Sequence, residues 1–281
     1  MSEELFGLED LIPRKKRPSG AIELPGDYEK GGLLFCGRCG QPKEFNWAFR
    51  GKDKIVKAIC QCEQEKLAAE EEKKKEIERR KAIELARYAG FPDSDYRSYT
   101  FDTDDRMNAR LSAALKRYCD KFEELKAKGQ GLLLYGPVAG GKTFMACCVA
   151  NALIDRGYTC LATNFSRIHA TLWETDRKQA YMDSLNKYDL LILDDLGIER
   201  ESQYMQEIVF NVIDNRDRAG LPMIITTNMD KKELENAQEI SKERIYSRIL
   251  KRCYPIKVES VERRKQEASI NESYMKELIG V

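Results

Sequence analysis

Two groups of residues in this 281-residue chain have the types and spacing to do chemistry. The first begins with Gly136-Pro137-Val138-Ala139-Gly140-Gly141-Lys142-Thr143, which satisfies G-x-x-x-x-G-K-[ST] at every fixed position. Glycines at this spacing let successive backbone N–H groups turn inward around phosphate oxygens. A helix starting where the loop ends, here at Phe144, points its positive end at the same oxygens. Lys142 would neutralise charge on β- and γ-phosphates, and the Thr143 hydroxyl would ligate Mg²⁺. Four aliphatic residues, Leu190 to Leu193, then lead into Asp194 and Asp195. Acids at the end of a buried parallel strand emerge beside such a loop. Asp194 would complete the Mg²⁺ shell, and Asp195 would orient or deprotonate an attacking water. Asn228 ends another apolar run, Leu221 to Thr227, where its amide could reach the γ-phosphate or that water.

The second group is made of cysteines: Cys36 and Cys39 in C-x-x-C, then Cys60 and Cys62 in C-x-C after a twenty-residue spacer. Four thiolates on two short knuckles suit tetrahedral Zn²⁺, with Gly37 and Gly40 letting backbone N–H groups face sulfur. A redox dithiol at Cys36/Cys39 is the competing chemistry. A closed four-thiolate site leaves no open coordination position, so its expected role is to fold a small ribbon and present a binding surface. The spacer carries Phe45, Trp47, Phe49, Ile55 and Val56 around a polar turn at Gly51-Lys52-Asp53.

Positioning these residues requires alternating strands and helices. Gly131–Tyr135 reads as a strand before the loop, and Phe144–Arg156 as a helix after it. Thr159–Thr163 is a second strand, and Asn164–Asp176 a helix with the lone histidine, His169, which reads as a surface or packing residue. Gln203–Arg218 is amphipathic, with Ile208, Val209, Val212 and Ile213 on one face. Asp105–Lys128 is expected to be one helix. Ahead of it, the aromatic run Tyr96–Phe101 would pack either on a nucleotide base or on the domain edge. Glu63–Ala89 is dense in i,i+4 charge pairs such as Glu70/Lys74, Glu71/Lys75 and Glu76/Arg80, the pattern of a solvated helical linker. Gly90-Phe91-Pro92 ends it. The expected division is a zinc ribbon over residues 1–65, a linker over 66–90 and an ATPase domain over 91–281.

Composition narrows the class. Hydrophobic residues are 42% and charged residues 34%, and the formal net charge is +1. That balance exerts no global pull toward nucleic acid, so any such contact needs a local patch. The cluster Arg14-Lys15-Lys16-Arg17 reads as a solvated tail. No apolar run has membrane-spanning length, and no secretory signal pattern opens the chain. Nine cysteines, an odd number, point to a reducing compartment, and the expected location is the cytoplasm.

Gly131–Gly136 running into the phosphate loop, Leu191–Gly197, Ile225–Asn228 and Arg244-x-x-x-Arg248 together resemble the DnaC/DnaI-type replicative helicase loaders. These are AAA+ ATPases near DnaA, with the transposition helper IstB as a sister group. The resemblance covers about residues 90 to 270, and the cysteine ribbon is a feature IstB-like proteins usually lack. It implies an AAA+ P-loop NTPase with a parallel α/β sheet and a small helical lid after about residue 231. It implies ATP and Mg²⁺ as ligands and hydrolysis to ADP and phosphate. The implied partners are a hexameric replicative helicase, single-stranded DNA and further copies of the chain. Asn228 takes the sensor-1 place and Arg248 that of an arginine finger acting on a neighbouring subunit. Arg263 or Arg264 would be sensor 2. At 195 this chain has Asp where the family more often has Glu. DNA contacts would lie within Asn164–Arg177, with Phe165, Arg167 and Trp173 as candidates. The alternatives are an IstB-like ATPase assisting a transposase, and a nucleotide-gated adaptor with little hydrolysis.

Overall fold

The computed structural model describes residues 25–49, 51–105, 107–197, 202–237, 239–259, 271–276 and 278–279. The chain divides into two compact units, Met1–Arg80 and Lys81–Val281. The basic cluster at 14–17 and the sensor-2 candidates Arg263 and Arg264 lie outside the described residues.

The first unit holds two antiparallel ribbons. β1 (Tyr28–Lys30) pairs with β2 (Leu33–Phe35), and β3 (Glu44–Phe49) with β4 (Lys52–Lys57). Between them the chain turns at Cys36, whose N–H donates to the Gln41 carbonyl at 2.9 Å and whose carbonyl accepts from Gly40 at 2.8 Å. Gly37 is required here, since a Cβ would lie 1.7 Å from the Gly26 carbonyl oxygen. Lys43 reaches Asp27 at 2.6 Å with both side chains buried. The Asp27 carboxylate also accepts from the Gly37 N–H at 3.1 Å. A buried charge pair needs this kind of further bonding.

α1 (Gln61–Gly90) is a single 30-residue helix with residues in both units. Two of its expected pairs form, Lys75–Glu71 at 2.7 Å and Arg80–Glu76 at 2.9 Å.

The second unit is built on five parallel strands: β5 (Gly131–Tyr135), β6 (Cys160–Asn164), β7 (Leu190–Leu196), β8 (Met223–Thr227) and β9 (Cys253–Lys257). Their spatial order is β6-β7-β8-β5-β9. Both faces are buried. Leu132, Leu134, Leu190, Ile192 and Ile224 face one hydrophobic layer, while Leu133, Leu191, Leu193, Met223 and Ile225 face the other. The first layer is filled from α2 (Ala109–Asp120), α3 (Phe122–Ala127) and α4 (Lys142–Ile154). The second is filled from α5 (Phe165–Glu174), α6 (Lys178–Ser184), α7 (Gln203–Ala219), α8 (Lys231–Glu235) and α9 (Ile240–Arg252).

Three local expectations are revised. The helix expected over 105–128 breaks at Lys121 into α2 and α3. The helix expected over 164–176 ends at Glu174, and α6 follows it. Residues after 231 are helical as expected through α8 and α9, but α9 buries Ile245, Tyr246 and Ile249 in the second layer. The chain then re-enters the sheet as β9. That strand contains Pro255 and lies at the sheet edge, where a missing N–H breaks no ladder. Proline in a five-residue run hid the strand signal.

Candidate functional site

The strand order places the chemistry. β8 lies between β5 and β7, so the C-terminal ends of these three neighbours bring the phosphate loop, Asn228 and Asp194 together along one sheet edge. Gly136 has φ 137, and a Cβ there would sit 2.3 Å from the Val258 carbonyl oxygen. Glycine is what lets β5 turn into the loop beside the chain leaving β9. Gly141, at φ 83, opens α4 with no side-chain cap. The first-turn N–H groups of α4 therefore remain available to an anion.

Lys142 is buried, and its ammonium donates to the carbonyls of Gly136 at 2.9 Å and Pro137 at 2.8 Å, and to Asn228 Oδ1 at 2.7 Å. The lysine is thus held over the loop with Asn228 as its side-chain partner. The Thr143 hydroxyl lies 2.8 and 3.1 Å from the two Asp194 carboxylate oxygens. Thr226 Oγ1 donates to Asp194 Oδ1 at 2.6 Å and accepts the Asp195 N–H at 2.9 Å. Burial raises the Asp194 pKa above the usual carboxylate value, as does the neighbouring Asp195 charge. Hydrogen bonds from Thr226, Thr143 and Tyr96 pull the other way.

Asp195 is one of two non-glycine residues with positive φ among those described, at 57°; Ala139 in the phosphate loop is the other, at 66°. The β7–β8 register shifts between Leu193 and Leu196. In a regular strand consecutive side chains point to opposite faces. The irregularity lets both Asp194 and Asp195 line one cavity of about 680 Å³, together with Lys142, Thr143, Asn228 and the loop. Aspartate is among the few residue types that tolerate this left-handed backbone.

Thr226 is not singled out from sequence, and Tyr96 and Tyr99 are legible there only as part of the aromatic run. Thr226 organises both acids, and its only signal was the polar Thr226-Thr227-Asn228 ending of an apolar strand. Tyr96 lines the cavity and its hydroxyl lies 3.4 Å from Asp194 Oδ2. Tyr99 also lines the cavity and packs on Phe144 with ring centroids 5.1 Å apart. The sequence marks the aromatic run but not what anchors it. The buried Asn151 amide on α4 donates to the carbonyls of Tyr96 and Tyr99, each at 2.8 Å.

Arg248 lies on α9, with Nε 2.9 Å from Asp214 Oδ1 on α7 and its guanidinium 4.9 Å from the Phe210 ring centroid. Among the candidates for DNA contact, Phe165 is 2% exposed and belongs to the core, so it cannot stack on a base. Arg167 pairs with Asp93 at 3.1 Å. Trp173 is 76% exposed, with His169 stacked beside it at 6.3 Å.

In the first unit the sulfurs of Cys36, Cys39 and Cys62 lie within 4.8 Å of one another. Cys60 is buried, which raises its thiol pKa. Backbone N–H groups directed at Cys39 from Gln41 and Cys62 lower its pKa to about 6, and the Cys62 thiol that donates to it is pushed up to about 11. Three clustered thiols with N–H groups aimed at sulfur are compatible with a zinc-binding module, and Cys60 is not one of that three.

The family described as IstB-like ATP binding protein matches residues 58–270. The replicative helicase loader DnaI of Bacillus subtilis (strain 168) is 29% identical over 150 residues, covering 49% of this chain and 48% of that protein. The replicative helicase loader DnaC of Escherichia coli (strain K12) is 26% identical over 144 residues, covering 50% of this chain and 57% of that protein. The chain thus spans about half the length of the curated relatives it matches. The crystal structure of the DnaC helicase loader superposes with a TM-score of 0.53 at 21% identity, over 59% of this chain and 100% of that one, which shows a shared fold. With the family matched over most of the chain and the phosphate loop, acids and strand order in register, the chain belongs to the IstB-like ATP-binding proteins.

Proposed function

We propose that this protein is an ATP-dependent loader of a hexameric replicative helicase onto single-stranded DNA during the initiation of replication. The observation that carries the catalytic half is the linked pair of contacts at the sheet edge: Thr143 to Asp194, and Lys142 to Asn228. Gly136–Thr143 and Phe144 would bind ATP. Thr143 and Asp194 would hold Mg²⁺, which when bound supplies positive charge to the β- and γ-phosphate oxygens. Lys142 shares that neutralisation. Its exchange of Asn228 for a γ-phosphate oxygen would free the amide to report the nucleotide state. Asp195 would accept the proton of the attacking water, giving ADP and phosphate. Arg248 is kept as the trans-acting finger, which requires it to leave Asp214 when copies of the chain assemble.

The functional division is a zinc ribbon over 1–65 held by Cys36, Cys39, Cys60 and Cys62, a helical linker over 66–90 and the ATPase over 91–281. The ribbon would grip the helicase, and Trp173 on the ATPase would contact single-stranded DNA in the cytoplasm. The similarity to proteins named replicative helicase loaders supports this reading over transposase assistance.

The test is capture of the source organism's replicative helicase by the full chain in ATP and in ADP, beside a Cys36→Ser/Cys39→Ser variant, with zinc measured on each sample. Nucleotide-dependent capture that the zinc-free variant loses is expected. Zinc-loaded protein that captures no helicase in either state would overturn loading, and preference for duplex DNA would then favour a transposase partner.

A further inference from the structure

The β3–β4 hairpin carries a feature that neither zinc binding nor ATP chemistry uses. Its register pairs Phe45 with Val56 and Trp47 with Lys54. Directly opposed residues share a face, and alternate residues along each strand return to it. Phe45, Trp47, Lys54 and Val56 therefore lie together. Phe45 is 45% exposed, Trp47 is 53% exposed and Lys54 is exposed. Glu44 and Asp53, the acids of the two strands, alternate onto the opposite face.

The sorting identifies the occupant. Two aromatic rings stand two residues apart on one strand, roughly 6.8 Å along it, so each can take one base. The lysine across from Trp47 shares its face with Phe45 and Val56, and among the described residues of the two strands no acid lies on that face. A protein covering this face would have to bring a carboxylate for Lys54, because a buried unpaired charge is strongly unfavourable. A nucleic acid strand carries a phosphate at every step. Duplex hides its base faces, which leaves a single strand.

We propose that the face formed by Phe45, Trp47, Lys54 and Val56 is a stacking platform for single-stranded DNA, separate from the ATPase unit. The choice of DNA rests on the loading reading above. The test does not, because it reads the hairpin alone. The chain has two tryptophans, Trp47 and Trp173. In the full chain carrying Trp173→Phe, which keeps an aromatic ring at the position assigned to DNA on the ATPase, Trp47 is the sole tryptophan, and its emission is titrated with a twenty-nucleotide oligothymidylate at low salt.

Saturable quenching that reverses as salt rises is expected, with little response to a duplex of the same length. Adding Lys54→Gln should flatten the log–log salt dependence by about 0.7, the value of one lost phosphate contact on a single strand. Adding Phe45→Ala should weaken the Trp47-reported affinity roughly five- to hundredfold. Circular dichroism and zinc content identical to the parent would show that each variant is folded, and Lys54→Gln, an exposed polar exchange, serves if Phe45→Ala is not. Absence of saturable quenching in the folded parent overturns the proposal, and so does equal quenching by duplex. A Trp47 signal that responds to the replicative helicase and not to the oligonucleotide would make the face a protein contact and overturn it as well, while leaving loading intact.

Discussion

Asp195 shows how one backbone angle decides a side chain's use. At φ 57 the residue breaks the strand's regular alternation, which brings it to the cavity that Asp194 also lines. Left-handed backbone costs most residues about 1–2 kcal/mol, with aspartate, asparagine and glycine the tolerant exceptions. The shorter acid therefore fits this turn. Asp195→Asn should keep stability and nucleotide affinity while lowering ATP hydrolysis by roughly 10²- to 10⁴-fold, the usual scale of a positioned base. Asp195→Glu should be less stable, by up to about 1 kcal/mol, without gaining rate. Thermal melts and steady-state phosphate release on the same samples check both. A Glu variant that is equally stable and faster would show that the backbone does not select aspartate.

Helices α7 and α9 carry the ion pairs that tie the second layer together. Asp214 on α7 receives Arg248 at 2.9 Å and Arg218 at 2.8 Å. Asp217 receives Arg252, and also Lys251 at 3.3 Å. Burial alone would raise the Asp217 pKa, but hydrogen bonds from Arg252 and Lys251 outweigh it and hold the value below the ordinary 3.8. A carboxylate depressed on folding adds stability above its unfolded pKa and loses it as pH falls through the folded value. Asp217→Asn should therefore lower the melting temperature at pH 6, and the gap to wild type should close as pH drops below about 3.8. A gap that stays constant to pH 3 would mean the pair contributes nothing electrostatic.

At the opposite end of the strands, Arg216 of α7 is fully buried. It donates to the Pro222 carbonyl at 2.9 Å and to those of Leu185 and Asp189 at 3.2 Å. It joins the segments that enter β7 and β8, and burial lowers its pKa to about 10, so it stays charged. Arg216→Met would leave three carbonyls without their donor. Chemical denaturation should show a loss of about 3 kcal/mol or more, at roughly 1–3 kcal/mol per unsatisfied buried group. Nucleotide affinity of the remaining folded fraction should be unchanged, because the cavity lies at the other strand ends.

For the whole molecule the consequence is that two units of different physical origin share one chain. Lys81–Val281 has a two-sided sheet core, while the described residues of Met1–Arg80 form short ribbons that bury little and a thiol cluster. Small units of this kind depend on a metal for their folding. Chelation with a thiol reagent should release one zinc per chain and abolish the ribbon's proton chemical-shift dispersion, while ATP binding persists within about twofold. Loss of ATP binding on chelation would show that the units are not energetically separate.

The sequence by itself determined the parts governed by short-range rules. A glycine-lysine-threonine loop between a buried strand and a helix admits few uses, since the spacing makes a phosphate cradle and the helix follows directly. The same holds for Leu190–Asp195 and for paired cysteines two or three residues apart. Tertiary structure decided what depends on contacts between distant segments. That β8 stands between β5 and β7 brings Asn228 to Lys142, 86 positions away, and Thr226 to Asp194. Asn151 anchors the Tyr96–Tyr99 segment from a helix more than fifty residues on. β9 was invisible because an edge strand with a proline gains its pairing from β5 and not from its own pattern. Phe165 looked available for DNA on type alone, but the helix face that α5 turns to the sheet takes it into the core. Local spacing sets which chemistry a residue can do, and the fold of the remote chain sets which residues meet to do it.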